Sequence, residues 1–484
     1  MMMSKKTSLF KTVDWLTIIL FVFMVTAGWL CVYGASFDID NPKIFATTGR
    51  PGMQLIWIGT SAILIFLIMM LDKHFFETFA YLIYGFITLL LIATIFLAPD
   101  IKGSHSWLVI TSTLRFQPAE FAKFATVLAL AKYMHSYEFN LLKVKDFINS
   151  VAIILVPTFC IMLQHEAGTA IVFLSLALVF YREGMSGYVL LTSMCAILFF
   201  VIQLKYEYLM WYHTPINEFT VLCIILAIIC VVLWYVLKER ALSYYLLGII
   251  ALSGLASYIA SLFWEINFVW IAIALITGIS IFLAMYSVKK IVWHYALLAL
   301  FAVLSIGFLY SVDYVFDEVL GLHQQKRIRV LLGLEDDPAG AGYNVNQSVI
   351  AIGSGGFSGK GFLNGTQIKL KYVPEHDTDF IFCTVGEEFG FLGSSLVVIL
   401  FCVFLLRLIV LAERQNTTFG RVYGYGTASI FLFHVIVNIG MVTGLVPVIG
   451  IPLPFFSYGG SSLWGFTILL FVFLRIDAGR KESQ

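Results

Sequence analysis

Long apolar segments alternate with short polar loops along most of this chain. A run of about 18 or more apolar residues is long enough to cross a bilayer as a helix. The pattern predicts fourteen membrane-spanning helices, at residues 12–34, 53–71, 76–97, 116–134, 147–163, 168–181, 186–204, 218–237, 241–263, 266–286, 291–311, 381–412, 419–444 and 460–476. The predicted fold is an all-α polytopic membrane bundle. The first segment is too long for a cleaved signal peptide, so we interpret it as a retained anchor.

The composition agrees with this interpretation and excludes several classes of function. The 484 residues are 60% hydrophobic and only 12% charged, whereas a soluble domain has about 25% charged residues. A net charge of +1 provides no basic field to attract nucleic acid, so no nucleic-acid partner is expected. The seven cysteines contain no CxxC spacing, which supports neither a zinc site nor a disulfide framework.

Basic residues in the short loops predict the orientation, because lysine and arginine are enriched on the cytoplasmic side. Lys143, Lys145, Lys289, Lys290 and Arg421 all fall on the same predicted side, as does the basic amino-terminal segment. Both termini are then cytoplasmic, and segments 98–115, 312–380 and 445–459 face outward. The long 312–380 segment carries several lysines and arginines, but long loops are translocated regardless of charge.

One outward segment leads into a helix with an unusual charged pair. Gln117-Pro118-Ala119-Glu120 is a typical helix start, because proline is tolerated in the first turn and glutamate is favoured there. Lys123 follows Glu120 by three residues, so the two side chains share one helix face. They form either an ordinary ion pair at the membrane interface or a functional pair at membrane depth.

A glycine-rich stretch, IAIGSGGFSGKGFLNGTQ at 350–367, lacks the spacing of a phosphate-binding P-loop. It predicts a tight loop in which glycine permits close approach of another backbone. Further along, Glu387 and Glu388 lie inside an apolar run, where ionised side chains need partners.

The acidic stretch YVPEHDTDFIF, at 372–382, stands at the edge of an apolar run. Asp379 is the last carboxylate before Phe380, so partial desolvation should make it a good base at neutral pH. Asp377 is expected to lie further from the apolar boundary. The alternative interpretation is that Asp379 is a helix N-cap, a position that aspartate favours.

Four motifs together closely resemble the SEDS family (shape, elongation, division, sporulation). They are RFQPAEFAKFA, GAGYNVNQSVIAIGSGGFSGKG, GTQIKLKYVPEHDTDFIFCTVGEEFGFLG and PVIGIPLPFFSYGGSSL. The matches follow the family's order, from about residue 12 to 200 and from about 312 to 477. Family members are integral membrane enzymes that polymerise peptidoglycan glycan strands from lipid II. GTQ at 365–367 and TTFGR at 417–421 resemble the RodA, or elongation, branch rather than the FtsW, or division, branch.

The resemblance also implies which residues form the site, because each family motif residue corresponds to a position in this sequence. The catalytic aspartate of TDFIF corresponds to Asp379, the central-cavity pair to Glu120 and Lys123, and the preceding tryptophan to Trp107. The QxxR stretch corresponds to Gln324 and Arg327.

The family's QPDLGT is replaced here by QHEAGT at 164–169, so Glu166 stands for the acid and the proline is absent. The chemistry of diphosphate release adds Arg115 and Lys371 to Lys123 and Arg327 as cation candidates. Glu375 is a further substrate-binding candidate, and Glu375 and Glu120 are the next candidates for the base.

The family has ten spans, whereas this sequence predicts fourteen. The four additional spans lie between residues 205 and 290, where no family motif occurs. The predicted organisation is therefore an amino-terminal half of the SEDS core at 1–204, inserted helices at 205–290, and a carboxyl-terminal core at 291–484 that contains the long outer loop. Because four is an even number, the insertion leaves that loop on the outer side.

The resemblance implies a peptidoglycan glycosyltransferase that polymerises lipid II at the outer, periplasmic face of the bacterial cytoplasmic membrane during elongation. Undecaprenyl diphosphate is then released. The alternatives are a division-type polymerase and a lipid II transporter, or flippase. Implied partners are lipid II, the lipid-linked glycan strand, membrane lipid, a class B penicillin-binding transpeptidase and the elongation machinery. No cofactor is predicted, and a divalent cation is left open.

Overall fold

The computed structural model describes residues 12–37, 49–101, 103–109, 115–335 and 342–480. A helix coincides with each of the fourteen predicted spans, which confirms the all-α polytopic fold. Within the described ranges, twelve helices are long and apolar enough to cross a membrane. The segments at Pro118–Met134 and Ala167–Arg182 are shorter.

The chain folds into eighteen described helices and two small hairpins. In chain order the helices are α1 (Trp15–Ala35), α2 (Arg50–Met70), α3 (Lys73–Leu97), α4 (Pro118–Met134), α5 (Val144–Leu163), α6 (Ala167–Val172), α7 (Ala177–Arg182), α8 (Gly187–Lys205), α9 (Ile216–Val231), α10 (Arg240–Ser261), α11 (Phe268–Lys290), α12 (Trp293–Tyr314), α13 (Leu322–Leu331), α14 (Tyr343–Ser354), α15 (Thr366–Lys369), α16 (Ile381–Glu413), α17 (Thr418–Val442) and α18 (Gly460–Gly479). The strands are β1 (Leu108–Val109), β2 (Arg115–Phe116), β3 (Met210–Trp211) and β4 (Thr214–Pro215). β1 pairs antiparallel with β2, and β3 with β4.

The helices pack into two compact units. The first consists of Met1–Met185 and Pro338–Gln484, and the second is Ser186–Asp337. These borders differ from the sequence borders at 204 and 291, which mark the segment without family motifs. That assignment of an insertion stays a prediction.

Helix packing in the first unit depends on small residues, because bilayer lipid is as apolar as the helix surfaces and close van der Waals contact replaces the hydrophobic effect. Gly426 on α17 lies against Val127 of α4, and Gly465 on α18 lies against the main chain of Glu120. A Cβ atom at Gly28 of α1 would collide with the main chain at Phe455. The proline segment at 446–456 is therefore held tightly between α1 and the other helices.

The longest helix, α16, is broken at Gly390, where φ is +64°. The glycine-rich loop after α14 inserts at this break. The amide of Gly361 donates to the carbonyl of Glu388 over 3.0 Å, and the amide of Phe391 donates to the carbonyl of Gly356 over 2.9 Å. A Cβ at Gly359 would collide with the main chain of Glu388. The predicted close backbone approach is confirmed, and it supplies partners for main-chain groups that the break would leave unpaired.

The second unit has its own apolar core. Val221, Leu222 and Ile225 of α9 and Ile276 and Leu283 of α11 are almost fully buried there. A mostly apolar groove of about 660 Å³ separates α10 from α11. Gln324 and Arg327 lie on α13 of this unit, with exposed side chains.

Candidate active site

Asp379 ends a turn that leads directly into α16. The helix begins at Ile381 with Phe380 in the cap position, so the N-cap interpretation of Asp379 is wrong. Asp379 is half-buried, and its main-chain carbonyl accepts a hydrogen bond from the side-chain amide of Asn438 over 2.8 Å. Its Oδ2 atom lies 3.4 Å from the position that a Cβ would occupy on Gly450. The carboxylate therefore faces the proline segment.

Asp377 is the more buried carboxylate of this turn, since its side chain is only 2% exposed. It forms an ion pair with Arg50 at the start of α2, and its carbonyl accepts from the amide of Tyr458 over 2.9 Å. The expectation that Asp377 lies further from the apolar boundary is therefore wrong. The turn folds back onto α2 and the residues before α18, which sequence distance from Phe380 does not reveal.

The neighbouring residues of the turn have different environments. His376 places Nδ1 2.7 Å from the carbonyl of Val373 and Nε2 3.0 Å from the carbonyl of Ala35, at the end of α1. Glu375 is exposed and accepts from the hydroxyl of Thr378 over 3.1 Å. The turn is thus attached to α1 through His376 and to α2 through Asp377.

Glu120 and Lys123 lie inside the bundle, only 2% and 1% exposed. The helix that carries them begins at Pro118, as predicted. Lys123 Nζ donates to Glu120 Oε2 over 2.8 Å and lies 3.1 Å from His434 Nε2. It also lies 4.5 Å from the ring centroid of Phe466 on α18. Such burial excludes an ordinary interfacial ion pair and favours the functional interpretation.

His434 and Asn438 lie one turn apart on α17, and both side chains bind the proline segment. His434 Nδ1 is 3.1 Å from the carbonyl of Pro452, and Asn438 Nδ2 donates to the carbonyl of Ile451 over 2.7 Å. Because Asn438 also donates to Asp379, this face of α17 connects the Glu120–Lys123 pair with the turn that carries Asp379. The prediction that these three residues share one polar cavity stays a prediction.

Glu166 lies between α5 and α6, close to the first turn of α4. Its carboxylate accepts from the side-chain amide of Gln117 and, over 3.0 Å, from the hydroxyl of Thr169. Burial raises the pKa of Glu166 to about 7, and the charge of Glu120 adds to that effect, whereas hydrogen bonds and Lys123 oppose it. An acid at this position is therefore near its titration point at neutral pH.

The missing proline of the QHEAGT stretch has a physical explanation. His165 has a φ of +59°, in the left-handed region. Proline is fixed near −65° and cannot adopt this conformation, whereas histidine is among the residues that tolerate it. The backbone of this turn is therefore incompatible with proline at position 165.

Ser461 lies in the GGSS stretch at the start of α18. It holds the backbone residues that directly precede α4. Its hydroxyl accepts from the amide of Gln117 over 3.2 Å and lies 3.3 Å from the carbonyl of Arg115. Both bonds position main chain rather than the charged head of Arg115, which is exposed on β2.

Glu387 has the partners that its position requires, whereas Glu388 has them for one carboxylate oxygen and its buried Oε2 has no hydrogen-bond partner among the described residues. Glu387 is fully buried and accepts from Lys360 over 2.6 Å and from the amides of Thr366, Gln367 and Ile368 over 2.8 to 3.1 Å. Glu388 Oε1 accepts from the amide of Leu363 over 3.2 Å. These contacts fold the outer loop onto α16, which indicates a structural role for Glu387.

The remaining predicted residues stay predictions. Trp107 is half-buried before β1, whereas Lys371 is exposed with a φ of +56°. Gln324 and Arg327 belong to the second unit. Over the described ranges, no cluster of three or more His, Cys, Asp or Glu residues could hold a metal ion.

The sequence motifs do not distinguish His434, Asn438 or Arg50 as site residues, and they indicate Gln117 only as part of a helix start. His434 and Asn438 are polar residues in the middle of an apolar run, and that position alone is a signal of function in a membrane helix. Gln117 and Arg50 were not distinguishable from ordinary loop and interface residues, because their partners lie far away in the sequence.

Comparison with known proteins agrees with the motifs. A family model described as "Cell cycle protein", for FtsW, RodA and SpoVE, matches residues 14–221 and 226–482. Peptidoglycan glycosyltransferase RodA of Treponema pallidum is 30% identical over 96% of this chain and 97% of its own length. Stage V sporulation protein E of Bacillus subtilis is 28% identical over 96% and 95%. Peptidoglycan glycosyltransferase MrdB of Escherichia coli K12 is 50% identical over 29% of this chain and 38% of its own length.

Solved structures share the fold. One solved chain aligns with a TM-score of 0.60 at 24% identity, over 97% of this chain and 98% of that chain. Its structure is described as showing the structural coordination of polymerization and crosslinking by a peptidoglycan synthase complex. The rod shape determining protein RodA of Thermus thermophilus aligns with a TM-score of 0.51 at 20% identity over 97% of both chains. The chain therefore belongs to the SEDS family, together with FtsW, RodA and SpoVE.

Proposed function

We propose that this chain is a peptidoglycan glycosyltransferase that polymerises lipid II into glycan strands and releases undecaprenyl diphosphate. The names of the Treponema pallidum and Escherichia coli relatives support this activity. The observation that carries the proposal is the placement of Asp379. Its main chain is held by Asn438, and the same face of α17 holds Lys123, which is paired with Glu120.

The proposed reaction assigns each group a step. The 4-hydroxyl oxygen of an incoming lipid II attacks the anomeric carbon of the growing strand, which is linked to a lipid diphosphate. The new carbon–oxygen bond forms as the bond to the diphosphate breaks, and the diphosphate leaves with the electron pair. Asp379 accepts the hydroxyl proton as general base. Glu375 and Glu120 are the next candidates for that role.

Cationic side chains stabilise the charge on the departing diphosphate. The candidates are Arg115, Lys123, Arg327 and Lys371. Of these, Lys123 has the best-defined surroundings, because it is fixed by Glu120 and His434 inside the bundle. Trp107, Gln324 and Glu166 are proposed to contact the substrate. Gln117 holds one carboxylate oxygen of Glu166 in place.

The proposed setting is cell elongation at the cytoplasmic membrane of a bacterium, with the active site on the periplasmic side. GTQ and TTFGR, together with the RodA and MrdB relatives, support the elongation branch over the division branch. Labelling of a Ser358→Cys variant with a membrane-impermeant maleimide tests the orientation. Labelling from outside supports it, and labelling from the cytoplasmic side alone contradicts it.

A class B penicillin-binding transpeptidase is the proposed partner, since new strands must be cross-linked. The resemblance to a chain from a peptidoglycan synthase complex that coordinates polymerization and crosslinking supports this pairing. Incubation of the purified protein with labelled lipid II, with and without the transpeptidase, tests the function. Glycan polymer supports the proposal, whereas lipid II that crosses a vesicle membrane unpolymerised supports the transporter alternative.

A further inference from the structure

We propose that His434 is a positioning residue for the glycosyl transfer. Its imidazole accepts a hydrogen bond from Lys123 and so holds the ammonium group beside Glu120. Its other nitrogen holds the proline segment that packs against Asp379. The inference rests on the proposed function, because the groups that His434 positions are those assigned to that reaction.

The hydrogen-bond geometry defines the proton positions on both side chains. The carbonyl of Pro452 can only accept, so His434 Nδ1, at 3.1 Å, carries a proton. In the neutral ring, Nε2 then has a lone pair that faces Lys123 Nζ at 3.1 Å. An ammonium group has only donors, so a charged lysine and a neutral histidine fit each other here. An imidazolium would instead place two donors face to face.

Lys123 is held from three elements at once. Glu120 on its own helix accepts over 2.8 Å, His434 on α17 accepts over 3.1 Å, and the Phe466 ring of α18 lies 4.5 Å from Nζ. A lysine has a flexible four-carbon stem, so its charge is placed only as well as its partners allow. Removing the acceptor on α17 leaves one hydrogen bond, from within the same helix, to fix the ammonium group.

The second ring nitrogen, His434 Nδ1, connects the histidine with the surroundings of Asp379. Gly450, Ile451 and Pro452 are consecutive. Asp379 Oδ2 lies 3.4 Å from the position that a Cβ would occupy on Gly450, Ile451 accepts from the amide of Asn438, and Pro452 accepts from the ring of His434. A shift of the histidine ring therefore moves the segment that the proposed base faces. Imidazole suits this position because it donates at one nitrogen while accepting at the other.

Two matched substitutions separate these contacts. In His434→Asn, the amide nitrogen replaces Nδ1 and keeps the bond to Pro452, but the acceptor for Lys123 is lost. In His434→Gln, the carbonyl oxygen lies near the position of Nε2 and keeps the acceptor, but the bond to Pro452 is lost. Ser429→Ala is the control on the same helix, since this buried hydroxyl donates only to the carbonyl of Tyr425, over 2.7 Å.

We expect His434→Asn to lower kcat for lipid II polymerisation by about 10- to 100-fold, because small misplacements of reacting groups carry penalties of that order. His434→Gln keeps the acceptor for Lys123 but loses the bond to Pro452, so its rate should lie between those of His434→Asn and the wild type. Both variants should have similar thermal midpoints, and Ser429→Ala should match the wild type. Full activity in His434→Asn would overturn the proposal. Equal losses in both variants, in proportion to lost thermal stability, would overturn it as well.

A second measurement separates this inference from the proposed function. If the wild type forms no polymer, the proposed function fails, and the His434–Lys123 contact is then tested through stability alone. His434→Asn and Lys123→Met should shift the thermal midpoint non-additively, because residues in contact couple. Additive shifts would show that the contact does not exist and would overturn the positioning role independently of activity.

Discussion

The side-chain amide of Asn438 donates to the carbonyl of Asp379 over 2.8 Å and to the carbonyl of Ile451 over 2.7 Å. One fully buried residue of α17 thus fixes both the turn before α16 and the proline segment. Asn438→Leu keeps the approximate volume but removes the donor of both hydrogen bonds. We expect a loss of about 1–3 kcal/mol in unfolding free energy, and a lower polymerisation rate, because two buried hydrogen bonds are lost.

Thermal unfolding in detergent and a lipid II polymerisation assay measure the two effects. Thr427→Val is the control, since its buried hydroxyl donates within the same helix, to the carbonyl of Tyr423 over 2.9 Å. An Asn438→Leu protein as stable and as active as Thr427→Val would contradict the role of Asn438.

Glu387 is expected to determine the stability of the outer loop. Glu387→Ala leaves Lys360 without its carboxylate and three amides of the α15 turn unpaired, and breaking a buried pair typically costs about 3–5 kcal/mol. Lys360→Met removes the cation alone and should cost less, because the amide bonds to Glu387 remain. Limited proteolysis within residues 355–371 should be fastest in Glu387→Ala, slower in Lys360→Met and slowest in the wild type. Equal protease resistance in Glu387→Ala and the wild type would refute this assignment.

Glu166 is expected to make stability depend on pH. Its pKa is raised to about 7 in the folded protein, whereas an unfolded glutamate titrates near about 4.3. Between these values the folded state holds a proton that the unfolded state has released, so stability falls as the pH rises from about 4.5 to 7. Glu166→Gln removes this contribution.

Thermal midpoints of the two proteins at pH 5 and pH 8 test the expectation. The decrease between these pH values should be smaller in Glu166→Gln than in the wild type. Glu138→Gln, at an exposed carboxylate, should behave as the wild type does. The same decrease in all three proteins would contradict the raised pKa.

The Arg50–Asp377 pair should stabilise the acidic turn, and its two members should differ in cost. Arg50→Ala leaves a carboxylate that is only 2% exposed without its cation, whereas Asp377→Asn leaves a guanidinium that is 50% exposed and can be hydrated. We therefore expect Arg50→Ala to lower the thermal midpoint more than Asp377→Asn does. The double variant should be less damaged than the sum of the two. An additive double variant would indicate that the two side chains do not interact.

The helices were predictable because long apolar runs have few alternatives to spanning a membrane. The break in α16 was not predictable, because Gly390 is one of three glycines in this run and nothing in the sequence distinguishes it from the other two. The loop that occupies the break comes from residues 355–361. The close approach of that loop was predictable from its glycines, but its partner was not. The absence of proline at position 165 is explained only by the backbone angle φ of His165, which the sequence does not reveal.

The candidate site was predictable where its residues lie close in sequence. Glu120 and Lys123 are three residues apart on one helix face, and Asp379 stands at a visible polar-to-apolar boundary. Lys123 and His434 are separated by 311 positions, and Arg50 and Asp377 by 327. No spacing rule connects such pairs, so the histidine and the arginine were missed. For the same reason, the burial of Asp377 was predicted wrongly.

The general-base role of Asp379 is tested most directly by glycan polymer yield from purified Asp379→Asn with labelled lipid II. Asparagine preserves the shape and leaves the main-chain bond from Asn438 in place, but it cannot take the hydroxyl proton. We expect the rate to fall by about 10²–10⁴ while the thermal midpoint and lipid II binding stay near those of the wild type. Glu375→Gln, at one of the next candidates for the base, should retain most of its activity. Near-normal polymer yield from Asp379→Asn would contradict the assignment and leave Glu375 or Glu120 as the next candidates for the base.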